Sequence, residues 1–128
     1  MAGAKELTTV SYLASGNLSA IQYHFVYLAS DEQVTQATDT TVIDGILQDD
    51  PDAENEGALV GIKGISKLVV DGSGTGITVG CKLAADASGH GVITTTDLDD
   101  YGAVAMNAST ASGDIIQVRL HPGRQISA

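Results

Sequence analysis

Residues 57–70, with the sequence GALVGIKGISKLVV, constrain the fold of this chain more than any other stretch. Leucine and β-branched side chains dominate the stretch, and no acidic residue interrupts it. Such side chains suit the pleated, half-buried surface of a β-sheet. Gly61 and Gly64 would each cost a helix about 1 kcal/mol relative to alanine, whereas in a strand they mark a bulge or a close backbone approach. The stretch therefore predicts extended structure at the centre of the chain.

The segments on either side of this stretch also have the pattern of strands. Tyr23, Phe25 and Tyr27 alternate with other residues, and short apolar pieces follow at 77–83, 91–94, 101–106 and 115–120. Glycine, serine, aspartate and asparagine separate these pieces, and no window keeps an apolar helical period for three turns. Many short strands with turns about every 8–12 residues indicate an all-β sandwich or barrel.

The two halves of the chain resemble each other. Residues 28–31 (LASD) are similar to 83–86 (LAAD), 44–47 (DGIL) to 101–104 (YGAV), and 57–60 (GALV) to 113–116 (GDII), at offsets of 55–57 residues. Two such small units bury their apolar faces only by closing on each other. The pattern predicts an all-β fold, a compact antiparallel β-barrel or sandwich with internal pseudo-duplication.

Residues 1–20 are predicted to form an extended N-terminal arm that precedes a single β-barrel or sandwich domain at 21–128. Leu7, Val10, Tyr12 and Leu13 form a weakly alternating apolar pattern, and a turn signal, ASGN, follows. An extended segment of this kind can add a strand to an exposed sheet edge of another protein. We expect these four side chains to make such a contact; a frayed terminus is the alternative.

Charge and composition exclude several classes of partner. Sixteen acidic and six basic residues give the 128-residue chain a formal charge of −10. Nucleic-acid binding needs clustered lysine and arginine, so we expect neither a nucleic acid nor an anionic membrane surface as a partner. No apolar run approaches the roughly 20 residues that span a bilayer. The single cysteine, Cys81, cannot form an internal disulfide, which fits synthesis in a reducing cytoplasm.

No group of residues in the sequence has the spacing of a catalytic, cofactor or metal site. The carboxylates of 49–56 lack the glycine and the terminal glutamate of an EF-hand. The glycine-rich stretch 72–76 precedes a β-like segment, whereas a phosphate loop opens a helix. His24, His90 and His121 lie far apart in the sequence and resemble no zinc pair. We therefore expect a protein that is not an enzyme and that has no cofactor and no obligatory metal.

Four groups of residues, in this order, resemble the small decoration (cement) proteins on the capsids of tailed bacteriophages. The first group, Gly45-Ile46-Leu47-Gln48, precedes an acidic loop that contains proline. The second is Gly64-Ile65-Ser66-Lys67. The third is the turn formed by 83–86 and Gly89. The fourth is Gly113-Asp114, which precedes an apolar strand. The similarity covers residues from about 22 to 123.

The resemblance implies a small β-barrel protein, without catalytic residues, that binds the outer capsid surface and stabilises the shell at capsomer junctions. It implies the major capsid protein as partner and self-association, as a homotrimer or alternatively a dimer. The N-terminal arm precedes the region of similarity, and its apolar alternation predicts that it contacts the major capsid protein or a neighbouring copy of this chain. The expected location is the virion, after synthesis in the host cytoplasm. The alternatives are a carbohydrate-binding or adhesive β-module on a virion surface, which needs exposed aromatic side chains, and a trimeric β-enzyme with a carboxylate metal site.

Overall fold

The structure, a computed structural model, describes residues 6–38, 42–94 and 100–124, and of residues 100 and 121–124 the backbone only. These residues form an all-β fold without helices, as the sequence predicts, and none of them belongs to a helix that could cross a bilayer. The nine strands are β1 (Leu7–Ala14), β2 (Phe25–Ser30), β3 (Gln33–Gln36), β4 (Gly45–Leu47), β5 (Gly57–Asp71), β6 (Lys82–Ala85), β7 (Gly91–Ile93), β8 (Asp100–Ala105) and β9 (Ser112–Arg124).

The strands form two rings that share β5. In the first ring the hydrogen-bonded order is β1-β3-β2-β4-β5, and β5 pairs back onto β1. In the second ring the order is β5-β7-β6-β8-β9, and β9 pairs back onto β5. The first half of β5 pairs with β1, from Gly57 to Gly64, and its second half pairs with β9, from Gly64 to Asp71. The long apolar stretch at 57–70 is therefore a common wall of both rings.

The pairing pattern confirms the internal duplication. Each ring contains one parallel pair, β1–β3 in the first and β5–β7 in the second, and its other four pairs are antiparallel. In each ring a short hairpin follows the first strand in chain order. This hairpin is β2–β3 after β1 in the first ring and β6–β7 after β5 in the second ring. The shared strand is both the last strand of the first unit and the first strand of the second.

Gly64 marks the point on β5 where the two rings meet. It pairs with Leu7 of β1 and with Leu120 of β9, and its φ of 105° lies in the region that favours glycine. A Cβ at this position would lie 2.1 Å from the carbonyl oxygen of Glu6. The prediction that a glycine in this strand marks a close backbone approach is confirmed here.

Aliphatic side chains fill the interior. A larger cluster contains residues of both rings, among them Phe25 and Ile46 from the first ring and Leu68, Leu83 and Val118 from the second. A smaller cluster lies in the first ring and under the segment that joins β1 to β2. Phe25, the only phenylalanine of the chain, is fully buried in the larger cluster. The rings are therefore packed against each other through the larger cluster, whereas the smaller cluster belongs to the first ring and the segment that joins β1 to β2.

Candidate functional site

The four residues predicted to contact a partner, Leu7, Val10, Tyr12 and Leu13, all lie on β1. Leu7 packs against the larger core cluster and Tyr12 against the smaller one. Val10 lies opposite the buried Val60, whereas Leu13 lies opposite the exposed Gly57. Cross-strand partners share a face of the sheet, so β1 turns Val10 inward and Leu13 outward.

The arm thus has partners within its own chain, because β1 is a strand of the first ring. The division of the chain at residue 20 and the contact of β1 with another protein both remain predictions. One edge of β1 is a candidate for such a contact: among the described residues, Leu7 to Tyr12 of this strand pair with β5 alone, and the pairing with β3 begins at Leu13. An unpaired strand edge is a template for another strand.

A second candidate contact surface is apolar and lies on the second ring. Val79, Met106 and Ile115 have exposed fractions of 68%, 37% and 56%. Their segments are neighbours, because the amide of Gly80 donates to the carbonyl of Ala105 at 2.8 Å and the amide of Met106 donates to that of Gln117 at 2.9 Å. We call these three residues the second-ring rim. Clustered exposed apolar residues often mark a protein contact.

A groove of about 200 Å³ lies where the rings meet, between Leu7, Tyr23, Gln48, Ile65 and Ser66, among other residues. The side-chain amide of Gln48 donates to the hydroxyl of the buried Ser66 at 2.8 Å. Tyr23 has a φ of 63°, a strained value for an aromatic residue. Its amide donates to the carbonyl of Leu47 at 2.7 Å, and its carbonyl accepts from the amide of Val69 at 2.8 Å. The strain at Tyr23 therefore accompanies a backbone link between the rings.

Two histidines and two aspartates meet beside this junction. Asp71 ends β5, Asp86 and His90 belong to the loop between β6 and β7, and His24 precedes β2. One ligand atom each of Asp71, Asp86 and His90 lie within 4.8 Å of one another. The rings of His24 and His90 are 4.8 Å apart. We call these four residues the His–Asp cluster.

Two members of the His–Asp cluster, His24 and Asp71, have a pKa that their surroundings lower. Burial lowers the pKa of His24, and the neighbouring His90 acts in the same direction, although the carbonyl of Gln22 and Asp86 oppose it. Hydrogen bonds from the side chain and the amide of Ser73 lower the pKa of Asp71. The lowered pKa values favour a neutral His24 and an ionised Asp71, and these are the forms of the two side chains that bind a cation.

Sequence reasoning missed the His–Asp cluster because its members are distant in the chain. The loop 86–90 docks on the first ring: the amide of Phe25 donates to the carbonyl of Gly89 at 3.0 Å, and the side-chain amide of Gln36 donates to that of Ala87 at 3.3 Å. The comparison of the two repeats contained one signal of an inserted loop. The loop between β6 and β7, at 86–90, is three residues longer than the equivalent loop between β2 and β3, at 31–32. The side chain of His121, the third histidine, lies outside the described part of the chain.

Neither a protein-family model nor a curated protein matches this chain. A solved structure is similar to it: the crystal structure of the N base of head fiber gp8.5 in bacteriophage phi29. The TM-score is 0.66 at 18% sequence identity, and the match covers 91% of this chain and 95% of that one. At this identity the likeness establishes a shared fold.

Proposed function

We propose that this protein is a structural component of a bacteriophage head, a decoration protein that binds the outer capsid surface and stabilises the shell. The observation that carries the proposal is the likeness of nearly its whole fold to the base of a phage head fiber. The order of glycine-marked segments that resembles the decoration proteins points to the same class of particle. We infer a role without catalysis, because both lines of support lead to structural proteins.

The mechanism follows from surface burial. Fully burying a large apolar side chain contributes roughly 1.5–3 kcal/mol to binding. The three side chains of the second-ring rim are partly exposed, so covering each of them would contribute a fraction of this free energy. The free edge of β1 adds backbone hydrogen bonds, and Leu13 adds an outward apolar group. A modest affinity per subunit is sufficient, since repetition over the head and self-association multiply it.

We propose the major capsid protein and further copies of this chain as partners. A homotrimer remains our preferred assembly and a dimer the alternative, because a small domain with an open strand edge is stabilised when neighbours cover that edge. Cross-linking on heads followed by denaturing electrophoresis distinguishes these assemblies. A ladder that stops at the monomer under conditions that link the capsid protein would contradict self-association.

The fold gives less support to a glycan-binding module. The four tyrosines and the phenylalanine all lie in the described ranges, and none of them is exposed. Sugar recognition would have to use half-buried rings such as Tyr23 in the junction groove. The binding experiment below is therefore performed with heads and not with a glycan.

The test is co-sedimentation with purified heads that lack the protein. We expect the wild-type chain to saturate them and to raise the temperature at which they release DNA. The variant Leu13→Ser reports on the outer face of β1, and the triple variant Val79→Ser, Met106→Ser, Ile115→Ser reports on the second-ring rim. We expect at least one of the two to weaken binding about fivefold or more, which corresponds to about 1 kcal/mol.

The matched control is Val42→Ser, because Val42 is 60% exposed and lies on neither surface. This control should bind heads like the wild type. The proposal is wrong if the wild-type chain does not bind. If every variant binds equally well, the heads are bound through neither of these two surfaces. Leu7 and Tyr12 are unsuitable for this experiment, since both pack on the core and their loss would also lower the stability of the fold.

A further inference from the structure

The His–Asp cluster combines donors that ordinary surface clusters lack. It contains imidazole as well as carboxylate groups, and its members come from three separate parts of the chain. Nitrogen and oxygen donors together favour first-row transition metals, whereas Ca²⁺ and Mg²⁺ favour sites made of oxygen alone. The chemistry of the cluster therefore selects a class of ion.

The negative charge of the two carboxylates would also favour a cation at this place. Asp71 and Asp86 are partly buried, and within the described ranges neither forms an ion pair with a lysine or an arginine. The one ionic contact there joins Asp86 to Nδ1 of His90 at 3.6 Å. That distance exceeds a hydrogen bond, so the two groups lie close together without satisfying each other.

Each carboxylate is held by one oxygen, and its other oxygen is left for a ligand. Oδ1 of Asp86 accepts from the amides of Ser88 and His90, at 2.8 and 3.0 Å, and Oδ2 faces the imidazole. Oδ1 of Asp71 accepts from the amide of Ser73 at 3.0 Å. Both side chains are thus fixed before any ion arrives, which lowers the ordering entropy lost on binding.

The tautomer of His24 is that of a metal-ligating histidine. Its Nδ1 lies 3.1 Å from the carbonyl oxygen of Gln22, and a carbonyl only accepts, so Nδ1 carries the proton. Nε2 of the neutral ring then has its lone pair free. A backbone carbonyl bound to the second ring nitrogen is the usual arrangement behind a ligating histidine.

We propose that Asp71, Asp86 and His90 bind a divalent first-row transition metal such as Zn²⁺, with His24 as the fourth donor. The three donors lie within 4.8 Å of one another, and small side-chain rotations bring them to the 2.0–2.2 Å or so at which Zn²⁺ binds nitrogen and oxygen. The metal would join the loop of the second ring to the first ring. This revises the expectation from the sequence that the protein has no metal site.

The test uses untagged protein that has been dialysed against a chelator. Titration calorimetry with ZnCl₂ should show one saturable site per chain, and thermal unfolding should shift upward in the presence of Zn²⁺. CaCl₂ and MgCl₂ at the same concentrations should produce a much smaller shift. In the wild type, the imidazole resonances of His24 and His90 should both move on addition of Zn²⁺.

Two variants locate the site. His90→Gln removes a donor, and Asp86→Asn removes a charge while its side-chain oxygen still accepts the loop amides. Each should lower the affinity for Zn²⁺ at least about tenfold. The control Asp52→Asn removes the same charge from an exposed loop and should leave the affinity unchanged. Unsaturable binding, or full affinity in both variants, would overturn the proposal. If a variant does not fold, stationary His24 and His90 resonances in the wild type would overturn it equally.

Discussion

The replacement Gly64→Ala tests the junction of the two rings, because this residue meets β1 and β9 at one point. Two effects add. An alanine at a φ of 105° is strained by on the order of 1–3 kcal/mol. Its Cβ would also lie 2.1 Å from the carbonyl oxygen of Glu6 and 3.0 Å from Cα of Leu7. Both contacts are with backbone atoms, so no side-chain rotation removes them.

The close contact with Glu6 lowers the free energy of unfolding further. The added carbon would lie roughly 1 Å inside a normal carbon–oxygen approach, so the start of β1 must move away from β5. The hydrogen bond from the amide of Ile65 to the carbonyl of Glu6, 2.8 Å long, is then lost, at about 1 kcal/mol. We expect Gly64→Ala to lower the free energy of unfolding by about 2–4 kcal/mol.

Other glycines of the chain separate the two effects. Gly113 has a φ of 86° and nothing within 4 Å of an added Cβ, so Gly113→Ala should show the backbone strain alone, about 1–3 kcal/mol. Gly57 has neither a positive φ nor a close neighbour, and Gly57→Ala should be neutral or stabilise by up to about 1 kcal/mol. Urea unfolding followed by circular dichroism measures all three. Equal losses for Gly64→Ala and Gly113→Ala would refute the close approach of β1 to β5.

Three further substitutions test the turn, the core and the junction groove. Glu32→Asn relieves a φ of 56° in the β2–β3 turn and should raise stability by up to about 1 kcal/mol in thermal unfolding. Phe25→Ala empties a fully buried position and should lower the free energy of unfolding by about 3–5 kcal/mol; a loss below 1 kcal/mol would contradict the shared core. Gln48→Ala removes the hydrogen bond to Ser66 and should lower urea stability by about 1 kcal/mol, whereas Gln33→Ala, which removes an exposed hydrogen bond to Asn55, should change it less.

The sequence predicted the class of the fold because strand patterns and turns are local. The β-branched run at 57–70 and the loops at 49–56 and 72–76 are all where the sequence predicts them. The duplication was also visible, since its repeats are short sequence segments. The division into two rings that share β5 was not predicted, because it depends on which strands pair at long range, such as β1 with β5, and no local pattern encodes that pairing.

The site was less predictable than the fold. The spacing of His24 and His90 in the chain conceals a contact that exists only because the loop 86–90 docks on β2 and β3. The rim residues Val79, Met106 and Ile115 likewise become neighbours only through hydrogen bonds between distant segments. The apolar alternation of residues 7–13 was visible, but it does not distinguish a strand that pairs within the chain from one that pairs with a partner.

The most direct test of the proposed function is a cryo-electron microscopy difference map between phage heads with and without this protein. The account predicts extra density outside the shell, at equivalent positions over the whole head, into which the two-ring fold fits with the second-ring rim or β1 against the capsid. Identical maps, or extra density only inside the shell, would contradict the assignment to the outer head surface.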